Sequence, residues 1–422
     1  MLKQITHKLG LIFGDRVLRN RILFVLAALV VFRILAAVPI PGVDHVALAQ
    51  FFNNNQFLGL LSVFSGGGFS YLSLVMLGGG PYITASIIMQ LATVVFPQVK
   101  AMYTEEGEAG RTRFIAISRA IAIPLAILQA VAFLSLLVSQ GIVSSLSPFA
   151  FALNVFLVAA GSMLLMWIGE LITEFGIGNG VSLIIFAGIV ASLPSGIGQA
   201  IFSASAANIP AYVAFAVIAL IVTFLVVMVS EAERSIPINY ARTSRGQSSS
   251  GPSYLPIRLL QAGVIPIIFA LSLLLLPQMI ITALSSVGVA GMDAVLNGYN
   301  AFAANPYAYG AAYFALVVMF TYFYTSITFE PHRVAENLQK SGAFIPGVRP
   351  GRETENYINK VVTRITLPGS VFLGLVAVTP FIIQGITGIS AILVGGTALL
   401  IAVTVVLDLI RKVDAQASLR EY

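Results

Sequence analysis

Titratable side chains would have to carry any chemistry in this chain of 422 residues, and they are few and poorly spaced for it. Hydrolysis in apolar surroundings needs a nucleophile beside a base, or two aspartates sharing one site. The three histidines, His7, His45 and His332, all fall outside the apolar runs, and Asp408 is the one aspartate near such a run, at its end. No GxxxxGK[ST] loop offers amides to a nucleotide phosphate, and no His/Glu cluster has metal-ligand spacing. Cysteine is absent, which removes disulfides and thiolate sites together. Neither catalysis nor a cofactor or metal is expected.

Ion-coupled transport is the other chemistry to weigh. It places charged groups at mid-membrane around broken helices. Here Glu170, Glu174 and Asp408 are expected at the ends of apolar runs, and Arg33 is the one charge well inside a run. For Arg33, snorkelling or satisfying helix-end carbonyls near Pro39 is favoured over a functional role.

The elements that position these residues are membrane spans. The chain is 58% hydrophobic and 9% charged, with a mean hydropathy of +0.94, whereas soluble domains carry ~25% charge. Charge-poor runs at roughly 22–39, 80–96, 114–138, 150–170, 181–202, 210–230, 257–284, 308–329, 362–386 and 390–409 predict ten spans. The first starts only at Ile22 and is of span length, so it is expected to be a retained helix. Before it, residues 2–19 space apolar and basic residues as a surface-lying amphipathic helix would, and a solvated basic tail explains them as well. Prolines 39, 41, 97, 148, 210 and 306 mark span ends.

All but Arg33 of the 23 Lys and Arg fall at the termini or in alternate loops. The positive-inside rule then puts both termini in the cytoplasm, with the loops near 97–113, 171–180, 231–256 and 330–361. Two of these, Glu231–Pro256 and Glu330–Val361, are long and polar, and they read as projecting docking arms or as flexible linkers.

The uncharged stretch Phe57–Pro97 is too long for one span, since ~20 residues suffice. It is cut by Gly66-Gly67-Gly68 and by Gly78-Gly79-Gly80-Pro81. Inside a helix, glycine costs ~1 kcal/mol and proline ~3 kcal/mol relative to alanine. A half-segment over about 57–74 is expected to precede a proper span from about 80. Broken backbone at membrane depth must be buried in protein or line a watery cavity, so a hollow interior is expected.

Seven ordered blocks give this architecture a family. AAVPIPGVD (36–44), GGPYITASIIMQL (79–91), GELITEFGIGNGVSLIIFAGIVASLP (169–194) and SIPINYAR (235–242) are followed by YLPIRLLQAGVIPIIFA (254–270), VAENLQKSGAFIPGVRPG (334–351) and GGTALLIAVTVVLDL (395–409). Together they resemble the SecY family, the channel subunit of the protein-conducting translocon in the bacterial inner membrane.

The resemblance implies an all-α polytopic membrane protein of ten helices in two pseudo-symmetric halves, 1–205 and 206–422, hinged between the fifth and sixth. It also implies a re-entrant plug at Leu60, Leu61, Ser62, Val63, Phe64, Ser65, Gly66, Gly67, Gly68, Phe69 and Ser70. The pore constriction would be an apolar ring of Ile83, Ile87, Ile185, Ile189, Ile268 and Ile401. Without the family, isoleucines at such spacing read as ordinary helix packing. Gln90 and Gln129 would sit at a lateral gate through which signal sequences and membrane helices enter the lipid bilayer, or they bond within their own packing layers.

Arg242, Arg245 and Arg349 match the basic tips of the two arms, which in the family receive the ribosome or the SecA ATPase; SecE-like and SecG-like small subunits would complete the complex. The first arm is shorter and less basic than the family's usual form, and Leu171 and Phe175 replace polar or basic residues common at their positions, departures that bear on docking. The implied function is passage of unfolded precursor polypeptides. An ion-coupled transporter of inverted-repeat design and a gated small-solute pore are the alternatives.

Overall fold

The computed structural model describes residues 15–41, 72–139, 141, 143, 147–202, 209–240, 253–261, 263, 265–286, 289, 291–387 and 391–418. In order its elements are α1 (Arg16–Ala36), α2 (Gly80–Val95), α3 (Pro97–Thr104), α4 (Gly107–Ser139), α5 (Pro148–Phe175), α6 (Gly180–Phe202) and α7 (Ile209–Glu231). Strands β1 (Glu233–Tyr240) and β2 (Ser253–Arg258) follow, then α8 (Ile265–Ser286), α9 (Met292–Ala304), α10 (Pro306–Thr328), α11 (Pro331–Lys340), β3 (Ala343–Phe344), α12 (Arg352–Thr387) and α13 (Ala391–Ser418).

Each of the ten expected spans falls on a helix of its own: α1, α2, α4, α5, α6, α7, α8, α10, α12 and α13. Among the described residues, five helices are long and apolar enough to cross a membrane, in α4, α5, α8, α10 and α12. The pair α2 and α3 bends by 109° at its break, where Phe96 is extended and Pro97 opens the next helix. Proline cannot donate to the first turn and does not need to, and Pro148 and Pro306 start α5 and α10 in the same way. Ser147 and Asn305 cap those two ends by accepting from backbone amides.

Several boundaries differ from expectation. The span expected from 257 begins at Ile265, because Ser253–Arg258 is a strand; a short apolar run reads equally as strand or helix. The expected loop 285–307 holds α9, and the second arm holds α11 and the first turns of α12. At the N-terminus, Arg16 to Arg19 are continuous with α1 rather than part of a separate surface helix, and residues 1–14 lie outside the described set.

The first five spanning helices pack on one another, with α5 meeting α1, α2, α4 and α6. The last five do likewise, with α12 meeting α10 and α13, and α7 meeting α13. The two groups touch along two seams, α2 and α4 against α8, and α6 against α13. One continuous apolar core runs through both groups. Outward faces carry exposed apolar side chains, such as Leu23, Leu26, Val30 and Ile34 on α1 and Val217, Leu220 and Phe224 on α7.

The two arms form one body. Strand β1 pairs antiparallel with β2, Ile236 opposite Leu255, and on its other edge with β3, Asn239 opposite Phe344. Under this sheet, Ile236, Ile238 and Ile257 of the first arm are buried with Leu338, Ala343, Ile345, Ile358 and Val362 of the second. At ~25 cal/mol per Å² of buried apolar surface, this second core fixes the arms to each other.

Candidate functional site

The six isoleucines singled out from the sequence come from four helices. Ile83 and Ile87 share a face of α2, one turn apart, and Ile185 and Ile189 share a face of α6. Ile268 lies on α8 and Ile401 on α13. All six are at most 6% exposed, and all belong to the one continuous core. They stand on α2, α6, α8 and α13, the helices that form the two seams. A core of branched aliphatic side chains there offers no hydrogen bond and resists wetting.

On one flank, residues 72–79 are held tightly. Ile40 donates to the Leu72 carbonyl at 2.9 Å and Leu74 to that of Val38 at 2.9 Å, so Pro39 and Ser73 form an isolated antiparallel bridge. From α5, the Ser162 hydroxyl donates to the Gly78 carbonyl at 2.8 Å. Its neighbour Gly161 lies so close that a Cβ there would sit 2.1 Å from the Leu74 carbonyl oxygen. Leu72, at φ 43°, is in the left-handed region that a leucine adopts at a cost of ~1–2 kcal/mol, and it is fully buried. The candidate plug, Leu60 to Ser70, lies outside the described residues; what is described is the fixed abutment that follows it.

The two glutamines are not brought together. Gln129 is buried on α4 against Gly80, at the first turn of α2, its Oε1 3.8 Å from where a Gly80 Cβ would be. Gln90 is ten residues further along α2, ~15 Å at helical rise, and its Oε1 is buried without a hydrogen-bond partner. Both helices nevertheless line the seam with α8.

Arg349 is exposed between Gly347 at φ 82° and Gly351 at φ 98°, and its carbonyl accepts from Thr354 Oγ1 at 2.9 Å. Those turns leave Arg349 exposed in the segment between β3 and α12 of the second arm. Arg242 and Arg245 lie outside the described residues. Arg33 stands in the last turn of α1, where a cation meets the negative end of the helix dipole.

Sequence reasoning missed three polar contacts. Arg119, counted among loop charges, lies within α4 and its Nε donates to Glu170 Oε1 of α5 at 2.7 Å. Arg411 of α13 donates to Glu231 Oε1 at 3.0 and 2.7 Å and also to the Ser230 carbonyl, tying α13 to the root of the first arm. Arg333 of α11 donates to the Thr104 carbonyl at 2.8 Å. Each joins residues at least 51 positions apart, so no local spacing announced them. Among the described residues, no group of three or more His, Asp or Glu could hold a metal.

The SecY family model matches residues 73–410. The chain is 40% identical to the protein translocase subunit SecY of Mycobacterium bovis over 428 residues, covering 96% of each. It is 38% identical to that of Helicobacter pylori, covering 97% of this chain and 98% of the relative. Among solved structures it is similar to a protein conducting channel, with a TM-score of 0.68 at 20% identity over 95% of this chain and 93% of the other. It also resembles Sec61 in the canine ribosome–channel complex from the endoplasmic reticulum, with a TM-score of 0.63 at 17% identity and the same shares covered. At these identities the structures speak for the fold.

Proposed function

The chain belongs to the SecY family, and we propose from that membership that it works as a protein-conducting channel. It moves unfolded polypeptides across a membrane and releases transmembrane segments sideways into lipid. The observation that carries this reading is the near-full-length identity of about 40% to protein translocase subunits. The burial of all six candidate ring isoleucines in one core, on the helices of the two seams, supports their role as the constriction. An apolar ring suits arbitrary cargo, because it closes around any side chain without demanding a specific hydrogen bond.

In this reading the halves are 1–205 and 206–422, and the seam of α2 and α4 with α8 is the lateral gate, with Gln90 and Gln129 on its helices. Residues 60–70 are the plug, hung from the abutment at Leu72. The joined arms receive the partner that drives transport, a ribosome or a SecA-type ATPase, through Arg242, Arg245 and Arg349. Guanidinium groups pair with phosphates and carboxylates in two-pronged fashion. Exposed apolar faces on α1 and α7 suit lipid or small SecE-like and SecG-like subunits. The kinship with bacterial SecY subunits supports the bacterial cytoplasmic membrane, and the charge distribution supports both termini inside. The chain itself catalyses nothing and needs no cofactor.

The test is reconstitution in proteoliposomes with small subunits, SecA and ATP. A signal-bearing precursor should become protease-protected inside. Substrate-driven ion flux without precursor transport would support the transporter instead.

A further inference from the structure

The ion pairs of Arg119 with Glu170 and of Arg411 with Glu231 each stay within one group of helices. The bond from Arg333 Nη2 to the Thr104 carbonyl crosses between the groups, from α11 to α3. Three features make it a mechanical joint. Thr104 is the last residue of α3, where helix carbonyls lack partners and carry the negative end of the dipole. The guanidinium is also paired with Glu330, one turn earlier on its own segment, which fixes its direction. Helix α3 is the bent continuation of α2, which lines the seam with α8 and carries Ile83 and Ile87.

The far end of α3 is tied to α4 as well, by the Tyr103 ring against Phe114 with centroids 5.0 Å apart. A pull on α3 therefore reaches both α2 and α4, the two helices that face α8. The Arg333 side chain is 50% exposed, so the joint is open to solvent and reversible, unlike the buried core beneath it.

From this geometry we infer that Arg333 is a latch, a positioning residue at the arm-bearing end of the seam that holds α2 and α4 against α8 through the C-terminal carbonyl of α3. That this seam is a gate for polypeptides rests on the function proposed above; that Arg333 holds it shut does not.

The chain has no cysteine, so spin labels can be placed cleanly at Lys100→Cys on α3 and Asn337→Cys on α11, both exposed. Their separation is measured by double electron–electron resonance in the full chain, with its small subunits, in lipid. With Arg333 present a narrow distribution is expected. R333Q should broaden it and move it to longer distance, and R333K, which keeps one charged donor, should restore most of the narrow population. E330Q should give a distribution between parent and R333Q. If R333Q superimposes on the parent, the latch is wrong, and R333K behaving as R333Q would overturn the charged-donor mechanism. Precursor transport is read separately on the same samples. A distance shift in a chain that conducts no polypeptide keeps the latch and removes the function, and normal transport with no shift does the reverse.

Discussion

Ser162 of α5 donates its hydroxyl to the Gly78 carbonyl, 84 residues away in sequence, at 2.8 Å in a fully buried contact. Together with the Cβ-free approach of Gly161 to Leu74, it seats residues 72–79, the abutment that follows the candidate plug in sequence. Ser162→Ala should leave the Gly78 carbonyl unpaired, at a cost of about 1–3 kcal/mol. Gly161→Ala should force α5 away from backbone, costing at least about 1–3 kcal/mol as other overpacked sites do. Thermal unfolding in detergent would rank them, and equal midpoints for both variants and parent would mean that the seat carries no stability.

The pair of Arg119 with Glu170 is partly sheltered, the side chains being 49% and 19% exposed. Removing either partner strands a charge between α4 and α5. The cost is expected to be about 1–2 kcal/mol, less than the ~3–5 kcal/mol of a fully buried pair. R119Q and E170Q combined should cost less than their sum, since the second change removes the stranded charge. Strict additivity in unfolding free energies would show that the two groups do not interact.

How far the sequence could foretell this depends on the range over which each feature is encoded. Spans were legible because ten charge-poor runs and prolines such as Pro148 and Pro306 are local signals, and helices start on those prolines. The abutment was half legible: Gly78 to Pro81 announced a break, but nothing near them pointed to Pro39 or Ser162 as partners. The union of the arms was not legible at all. It joins Tyr240 to Ala343 across more than a hundred residues, and Ile257 and Arg258 at the end of the strand read as the start of a helix because strand and helix share an apolar run. The ring isoleucines came from the resemblance; periodicity alone would have left them as packing residues.

Because the arms share one core, a lesion in one should loosen the other. Ile236 is 1% exposed beneath the sheet and packs with residues of the second arm. Ile236→Ala should cost about 2–4 kcal/mol locally. The second arm, around Gly342 to Gly351, should then be cut faster by trypsin at Lys340, which is exposed and precedes Ser341 at the start of that loop. If only the first arm became sensitive, the arms would be independent bodies.

Glu336 pairs with Lys340 one turn on at 2.8 Å, and the hydrogen bond and charge of Lys340 hold its carboxyl below the usual value. A folded-state value below the unfolded one contributes stability above the unfolded value and loses it as pH falls through the folded value. The last turn of α11 should therefore hold at neutral pH and loosen only in acid. A carbon-13 titration of the Glu336 carboxyl should give a midpoint below that of a free glutamate, and Lys340→Gln should move it back up. A midpoint unchanged in K340Q would show that the pair does not form in solution.

The isoleucine ring is the proposal that most needs a control, because burial in a continuous core is also what plain packing gives. Val317 on α10 provides one. It is fully buried in the same core, on a helix that carries none of the six. Asparagine at Ile87, Ile189 or Ile401 puts an amide into an apolar environment, and so does Val317→Asn, each costing stability through the unpaired polar group. Only at a constriction does the amide also lower the barrier to wetting. Resting ion conductance in planar bilayers should therefore rise for the three ring variants and stay at the parent level for V317N, while Ile401→Leu, apolar and of equal volume, should leave both conductance and stability nearly unchanged. Leak that appears equally in V317N would mean general loosening of the bundle. Absence of leak in all three ring variants would return those isoleucines to the packing role that their spacing alone suggests.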